Sequence, residues 1–132
     1  MQTELAKPEK KSILVVDDDL ELTLIFQELL EVSGYQVFTA SDGILALKQV
    51  LYQDVDAILC DLRMPGLEGD LFYGAVERAK PELCRRFIFI TGAADDPKYN
   101  AFLSQVKVPV LHKPVKAATL LESLQILLRS QA

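Results

Sequence analysis

Short, mostly apolar runs alternate along this chain with longer stretches in which apolar residues recur every three or four positions. The short runs predict strands over 12–17, Tyr35–Ala40, Val55–Cys60, Phe87–Ile90 and Val108–Leu111. Their character is continuous rather than alternating, as expected of strands covered on both faces. Between them, Leu22, Ile25, Phe26, Leu29 and Leu30 share one face of a first helix, which Gly34 ends. Ser41 or Asp42 is placed to cap a second helix that turns Ala46, Leu47, Val50 and Leu51 inward. A third helix starts near Asp70 and is expected to bury Leu71, Phe72, Ala75 and Val76. Asp96 followed by Pro97 is a cap with proline at the first helical position, the start of a fourth. A fifth runs from about Lys116 to Leu128. Residues 1–11 are polar and include Lys7-Pro8-Glu9-Lys10-Lys11, which predicts a flexible N-terminal tail.

Strand and helix in strict alternation predict an α/β domain with a five-stranded, parallel, doubly wound sheet. The order 2-1-3-4-5 sets strands one and three side by side where the winding reverses, and ligands bind there, beyond the carboxyl ends of the strands. Those ends carry the chain's chemistry. The first run stops on Asp17 and Asp18, the third on Asp61, the fourth on Thr91, and the fifth leads into Lys113 and Pro114. A carboxylate at the tip of a buried strand is costly unless it lies at the sheet's edge and is used.

Carboxylates crowded together oppose one another's ionisation. A magnesium ion removes that conflict, since it is hard, prefers oxygen and keeps waters beside one or two carboxylates. Asp17, Asp18 and Asp61 are the expected ligands, with the backbone carbonyl of Arg63 just past Asp61. Helix capping and the helix dipole account for Asp19, and reach Asp18 at most; they leave Asp17 unexplained. Asp61 is the candidate nucleophile, since a carboxylate attacking phosphorus gives an aspartyl-phosphate. Lys113 can hold a phosphoryl oxygen by a charge-assisted bond, Thr91 can donate its hydroxyl to another, and Gly92 leaves the approach open. Alone, Lys113 would read as a solvated lysine and Thr91 as an ordinary strand residue. Their position at strand ends level with the acids changes that reading. His112, the single histidine, has no second ligand at metal spacing and reads as a strand-end residue without special role.

The 132 residues are the size of one domain. A net charge of −5 gives no electrostatic footprint for nucleic acid. No stretch reaches the ~18 apolar residues of a membrane span, and no apolar secretory segment is present, so the cytoplasm is the expected location. Cys60 and Cys84 have neither metal nor redox spacing, and Cys60 reads as a small buried hydrophobe.

Taken together, Val15-Val16-Asp17-Asp18-Asp19, Cys60-Asp61-Leu62-Arg63-Met64-Pro65 with Gly69, Thr91-Gly92 and Lys113-Pro114 resemble the response-regulator receiver domain of two-component signalling. The resemblance covers about residues 12–130. It implies a flavodoxin-like fold and Mg2+-dependent transfer of a phosphoryl group from a phosphohistidine to Asp61. Asp17 and Asp18 would be the acidic pair, Thr91 the switch hydroxyl and Lys113 the phosphate-sensing lysine. A histidine kinase or histidine-phosphotransfer protein would be the donor. Such a domain is regulatory rather than an enzyme, assisting only its own phosphorylation and dephosphorylation.

Many receivers carry Tyr or Phe three residues before the lysine; here that residue is Val110, so rotation of an aromatic ring is not expected to be the readout. The segment 108–114 is more similar to receivers fused to hybrid histidine kinases. A stand-alone receiver and one from a longer protein both fit. A haloacid-dehalogenase-type phosphatase is the alternative, but it needs a second Asp two residues after the nucleophile, where this chain has Arg63. A flavodoxin-like electron carrier would need aromatic loops, and Trp is absent. A receiver that no longer takes phosphate is disfavoured by the complete set of acids, Thr91 and Lys113. Leu24 is left over from the predicted core stripe of helix one and is expected to anchor the donor, beside the 63–67 and 113–115 loops.

Overall fold

Strand, helix and loop follow the predicted alternation in a computed structural model that describes residues 10–92 and 96–130. The elements are β1 (Ser12–Val16), α1 (Leu20–Val32), β2 (Gln36–Ala40), α2 (Gly43–Tyr52), β3 (Ala57–Cys60), α3 (Gly69–Ala79), β4 (Phe87–Thr91), α4 (Pro97–Gln105), β5 (Val110–His112) and α5 (Ala117–Ser130). A 3₁₀ helix at Pro81–Arg86, which the pattern did not predict, leads into β4. Of the expected tail, residues 1–9 lie outside the described residues, and Lys10 and Lys11 lead exposed into β1.

All strand pairs are parallel and the order is β2-β1-β3-β4-β5, as expected. Side chains alternate across each strand, so each face takes its own half of the apolar run. Leu14, Val16, Ile58, Cys60, Phe87 and Phe89 pack with Ala46, Val50, Phe72, Val76 and Tyr99 of α2, α3 and α4. Ile13, Val15, Ala57, Leu59, Ile88 and Ile90 pack with Phe26, Leu30, Leu120, Leu124 and Leu127 of α1 and α5. Burying each such aliphatic or aromatic side chain is worth roughly 1.5–3 kcal/mol, which is why these runs define the sheet.

Helix starts follow the sequence. Asp19 accepts from the Leu22 amide (3.2 Å), Asp42 from Leu45 (2.8 Å) and Asp96 from Lys98 (3.0 Å). Asp42 rather than Ser41 is therefore the cap of α2. Gly34, at φ 98°, takes the left-handed turn that ends α1, a conformation glycine adopts without penalty. β5 begins at Val110 rather than Val108, because Pro109 has no amide to give to the ladder; its carbonyl still accepts from Phe89 (3.0 Å).

Three residues expected inside are exposed: Ile25 (60%), Leu51 (50%) and Leu71 (59%). The cause is the same in each helix. The buried stripes are Thr23, Phe26 and Leu30 in α1, Gly43, Ala46 and Val50 in α2, and Gly69, Phe72 and Val76 in α3. Each displaced residue is the immediate neighbour of a buried one, about 100° away around the helix. Thr23 occupies a buried position because its hydroxyl donates back to the Asp19 carbonyl at 3.0 Å.

Candidate functional site

Register brings the strand-end residues to one level. Val16 pairs with Cys60, so Asp17 and Asp61 stand side by side one residue further on. Thr91 pairs with His112, and Lys113 follows directly, its amide donating to the Thr91 carbonyl (3.0 Å). Asp17 and Asp61 are buried, Thr91 is wholly buried and Asp18 is exposed.

Each buried carboxylate divides its oxygens in the same way. Asp17 Oδ1 accepts from the Asp19 amide (2.9 Å), and Asp61 Oδ1 accepts from the Leu62 amide (2.8 Å). The other oxygens, Asp17 Oδ2 and Asp61 Oδ2, both accept from Lys113 Nζ, at 3.0 and 3.2 Å. One carboxylate oxygen from each of Asp17, Asp18 and Asp61 lies within 4.8 Å of the others, a spacing that could hold a metal ion. When ionised, these three acids and one ammonium leave two negative charges uncompensated. All the donors are oxygen, so the set fits a hard divalent cation.

Burial pushes the Asp17 carboxyl above its ordinary range, against the Asp19 amide and Lys113, which lower it; the charge of Asp61 adds to the rise. Burial alone would lower Lys113, yet its bonds to Asp17 and Asp61 outweigh that and raise it. Burial, with the charges of Asp61 and Asp17, holds the Cys60 thiol well above its usual value, so it stays neutral and donates to the Asp61 carbonyl (3.0 Å).

The loop after Asp61 is packed closely against its own backbone. The Gly69 amide donates to the Leu62 carbonyl (2.8 Å), and a Cβ at Gly69 would collide with the Asp61 carbonyl, so only glycine fits. Among the described residues, and apart from its chain neighbours, no heavy atom stands within 4 Å of the Cβ position of Gly92, in keeping with an open approach. The Lys113–Pro114 peptide is cis. His112 is exposed. Arg63 directs its guanidinium to Asp96 (2.6 Å).

Two features of the surroundings were not expected. Leu20, 67% exposed, stands one turn from Leu24, 64% exposed, and helps line a cleft of about 250 Å³ with Asp17, Thr23, Thr39 and Leu45. Its place straight after the capping Asp19 was the available signal. Glu68 and Tyr99, far apart in sequence, meet beside the site: the Tyr99 hydroxyl donates to Glu68 Oε1 at 2.9 Å. No local pattern announces that contact.

Residues 13–125 match the model of the response regulator receiver domain. A CheY-like response regulator receiver domain protein from Methanospirillum hungatei JF-1 has the same fold, with a TM-score of 0.86 and 27% identity over 93% of this chain and 97% of that one. The receiver domain of a sensor histidine kinase from Pseudomonas aeruginosa PAO1, with a magnesium ion coordinated in its active site cleft, gives a TM-score of 0.81 at 30% identity, covering 92% of this chain and 99% of that one. The alkaline phosphatase synthesis transcriptional regulatory protein PhoP of Bacillus subtilis (strain 168) is 48% identical over 59 residues, 45% of this chain and 25% of its own length. The chain spans between 14% and 35% of the length of three of the curated relatives it matches.

Proposed function

The chain belongs to the response regulator receiver domain family, and from that membership we propose that Asp61 is the residue that takes the phosphoryl group. The functional unit is residues 12–130. The observation that carries the reading is the shared ammonium: Lys113 Nζ already bonds Asp61 Oδ2, and Asp61 Oδ1 is fixed by the Leu62 amide.

The donor is a phosphohistidine of a histidine kinase or histidine-phosphotransfer protein. A carboxylate oxygen of Asp61 attacks phosphorus, the P–O bond forms, and the P–N bond breaks. The imidazole leaves with the bonding pair and takes up a proton. Such a transfer depends on positioning and charge neutralisation more than on further covalent chemistry. Lys113 moves its bond from the carboxylate to a phosphoryl oxygen, and the Thr91 hydroxyl donates to another. Asp17, Asp18, Asp61 and the Arg63 carbonyl would hold Mg2+, which supplies neutralising charge for the phosphoryl oxygens. Asp17 stays anchored through the Asp19 amide during this exchange.

The domain is regulatory, acting on its own phosphoryl group alone, and works in the cytoplasm; no helix among the described residues is long and apolar enough to cross a membrane. The donor rests on Leu20 and Leu24, beside the 63–67 and 113–115 loops. The phosphatase alternative is not favoured. Its second acid would stand at Arg63, whose guanidinium is committed to Asp96.

A structure with magnesium and beryllofluoride tests the assignment. The expected result is beryllofluoride on Asp61, with Lys113 Nζ on one fluoride and the Thr91 hydroxyl on another, and no aromatic rotamer switch. Thr91 is expected to move; residues 93–95 of the loop that follows it lie outside the described residues. Beryllofluoride on another carboxylate would overturn the reading.

A further inference from the structure

β2 is an end strand of the sheet, and among the described residues nothing pairs with its outer side. The Gln36 amide donates to the Lys11 carbonyl (2.9 Å), and the Ala40 carbonyl accepts from the Asp17 amide (3.2 Å). Gln36, Phe38 and Ala40 therefore turn their backbone groups to β1, and the amides and carbonyls of Val37 and Thr39 face outward. Proteins usually blunt such an edge with charge, proline or a short strand. The run Tyr35-Gln36-Val37-Phe38-Thr39-Ala40-Ser41 holds neither a charge nor a proline. The opposite edge is blunted: β5 is 3 residues long, with Pro109 before it and Lys113 after it.

The flanking helices leave that edge open. β1, β3 and β4 are buried throughout, whereas Gln36 is exposed and Val37, Phe38 and Thr39 are only half-buried. A cleft of about 580 Å³, bordered by Lys10, Glu31 and Tyr35, opens on Gln36 and Val37. Another, of about 340 Å³, opens on Thr39 and is walled by Leu45, Lys48, Gln49 and Tyr52 of α2. Those four share one helical face. Its apolar ends lack cover within the domain, for Tyr52 is 82% exposed and Leu45 43%.

We propose that this edge pairs with the same edge of a second copy of the chain, β2 against β2 in antiparallel sense, joining two sheets into one. The outward residues suit a two-fold axis at Phe38. Val37 of each copy then lies opposite Thr39 of the other, and each such pair exchanges both backbone bonds. The surface is self-complementary, as a two-fold contact between identical chains requires. Antiparallel pairing also brings the start of one strand, where Lys10 and Lys11 stand exposed, beside the end of the other, where Asp42 follows Ser41. Glu31, at the basic end, offsets part of that attraction. On the α2 side, Leu45 of one copy comes level with Tyr52 of the other, and the exposed Lys48 between them extends into solvent. This pairing makes no use of Asp61 and stands apart from the phosphoacceptor reading.

Sedimentation equilibrium of the whole chain from micromolar to millimolar concentration, with amide exchange by NMR at both ends of that range, tests this. The wild type should double its mass as concentration rises. The Val37 and Thr39 amides, open in the monomer, should then exchange at least about tenfold more slowly. Thr39→Pro removes an outward amide and no bond to β1, and should stay monomeric throughout. Thr39→Lys keeps that amide but sets a charge on the edge, and should move the dimer midpoint to at least about tenfold higher concentration. Circular dichroism confirms that each variant is folded, and Thr39→Lys alone decides if Thr39→Pro is not. A wild type that stays monomeric overturns the proposal. So does a folded Thr39→Pro or Thr39→Lys that dimerises as the wild type does, which would put the contact on another face. Protection of Val37 and Thr39 that does not change with concentration also overturns it, because the edge would then be covered by the chain's own residues.

Discussion

Asp17 and Asp61 stand level at the ends of adjacent strands, and a single ammonium, Lys113 Nζ, lies 3.0 Å from one and 3.2 Å from the other. Two buried acids thus share one cation that comes from a strand two places along the sheet from Asp61. Such an arrangement is strained by charge in the apo protein and relieved by whatever adds positive charge.

Asp17 carries that strain. Its folded pKa is raised above 3.8, with burial the leading cause. A raised acid contributes stability below its unfolded pKa and loses it as pH rises through the folded value. Ionised Asp17 therefore costs stability at neutral pH. Without metal, Asp17→Asn should melt a few degrees higher at pH 7, about 1 kcal/mol. The gain should fade below about pH 4, where both forms are neutral. Thermal melts at both pH values check the sign; a lower melting point at pH 7 would contradict it.

Lys113, raised as well, differs in that it contributes stability at neutral pH, where ionised Asp17 costs it. Its raised pKa means that its contribution is present below 10.5 and is lost only as pH rises through the higher folded value. Lys113→Ala should destabilise the apo protein at pH 7 by about 1–3 kcal/mol, since two carboxylates lose a shared donor. Magnesium should restore part of the loss. Denaturant titrations with and without magnesium measure both.

Asp18 is exposed and, among the described residues, makes no hydrogen bond or ion pair to a buried group, so Asp18→Ala separates binding from folding. Magnesium affinity should fall at least about tenfold. Stability without metal should change by no more than about 0.5 kcal/mol. Titration followed by NMR gives the affinity, and an unchanged value would leave Asp18 outside the metal site.

The acids, Thr91 and Lys113 were legible because each ends or follows an apolar run, and parallel register carries the ends of neighbouring strands to one level. The helix faces were less so. Ile25, Leu51 and Leu71 each sit beside a truly buried residue, and apolar character cannot tell two neighbours 100° apart which one meets the sheet. Thr23 is buried although polar, because its hydroxyl is satisfied within its own helix turn. Tyr99 and Glu68 lie in separate segments, and their bond exists only once α4 has docked beside the loop. Tertiary contacts of that kind leave no local signal.

Leu20 lines the cleft beside Asp17, and Leu24 stands exposed one turn further along α1. Leu24→Asp should slow phosphotransfer from the cognate histidine donor at least about tenfold, as expected when an anchor at an interface centre is lost. Labelling by acetyl phosphate, which needs no docking, should keep its normal rate. Transfer kinetics with both donors separate the two; normal rates with both would place the donor elsewhere.

The most direct measurement is intact mass after treatment with acetyl phosphate, for wild type and Asp61→Asn, each with magnesium and with a chelator. Wild type with magnesium should gain the mass of one phosphoryl group, while the chelated sample and Asp61→Asn gain none. Equal labelling of Asp61→Asn, or full labelling of wild type under chelation, would contradict the account.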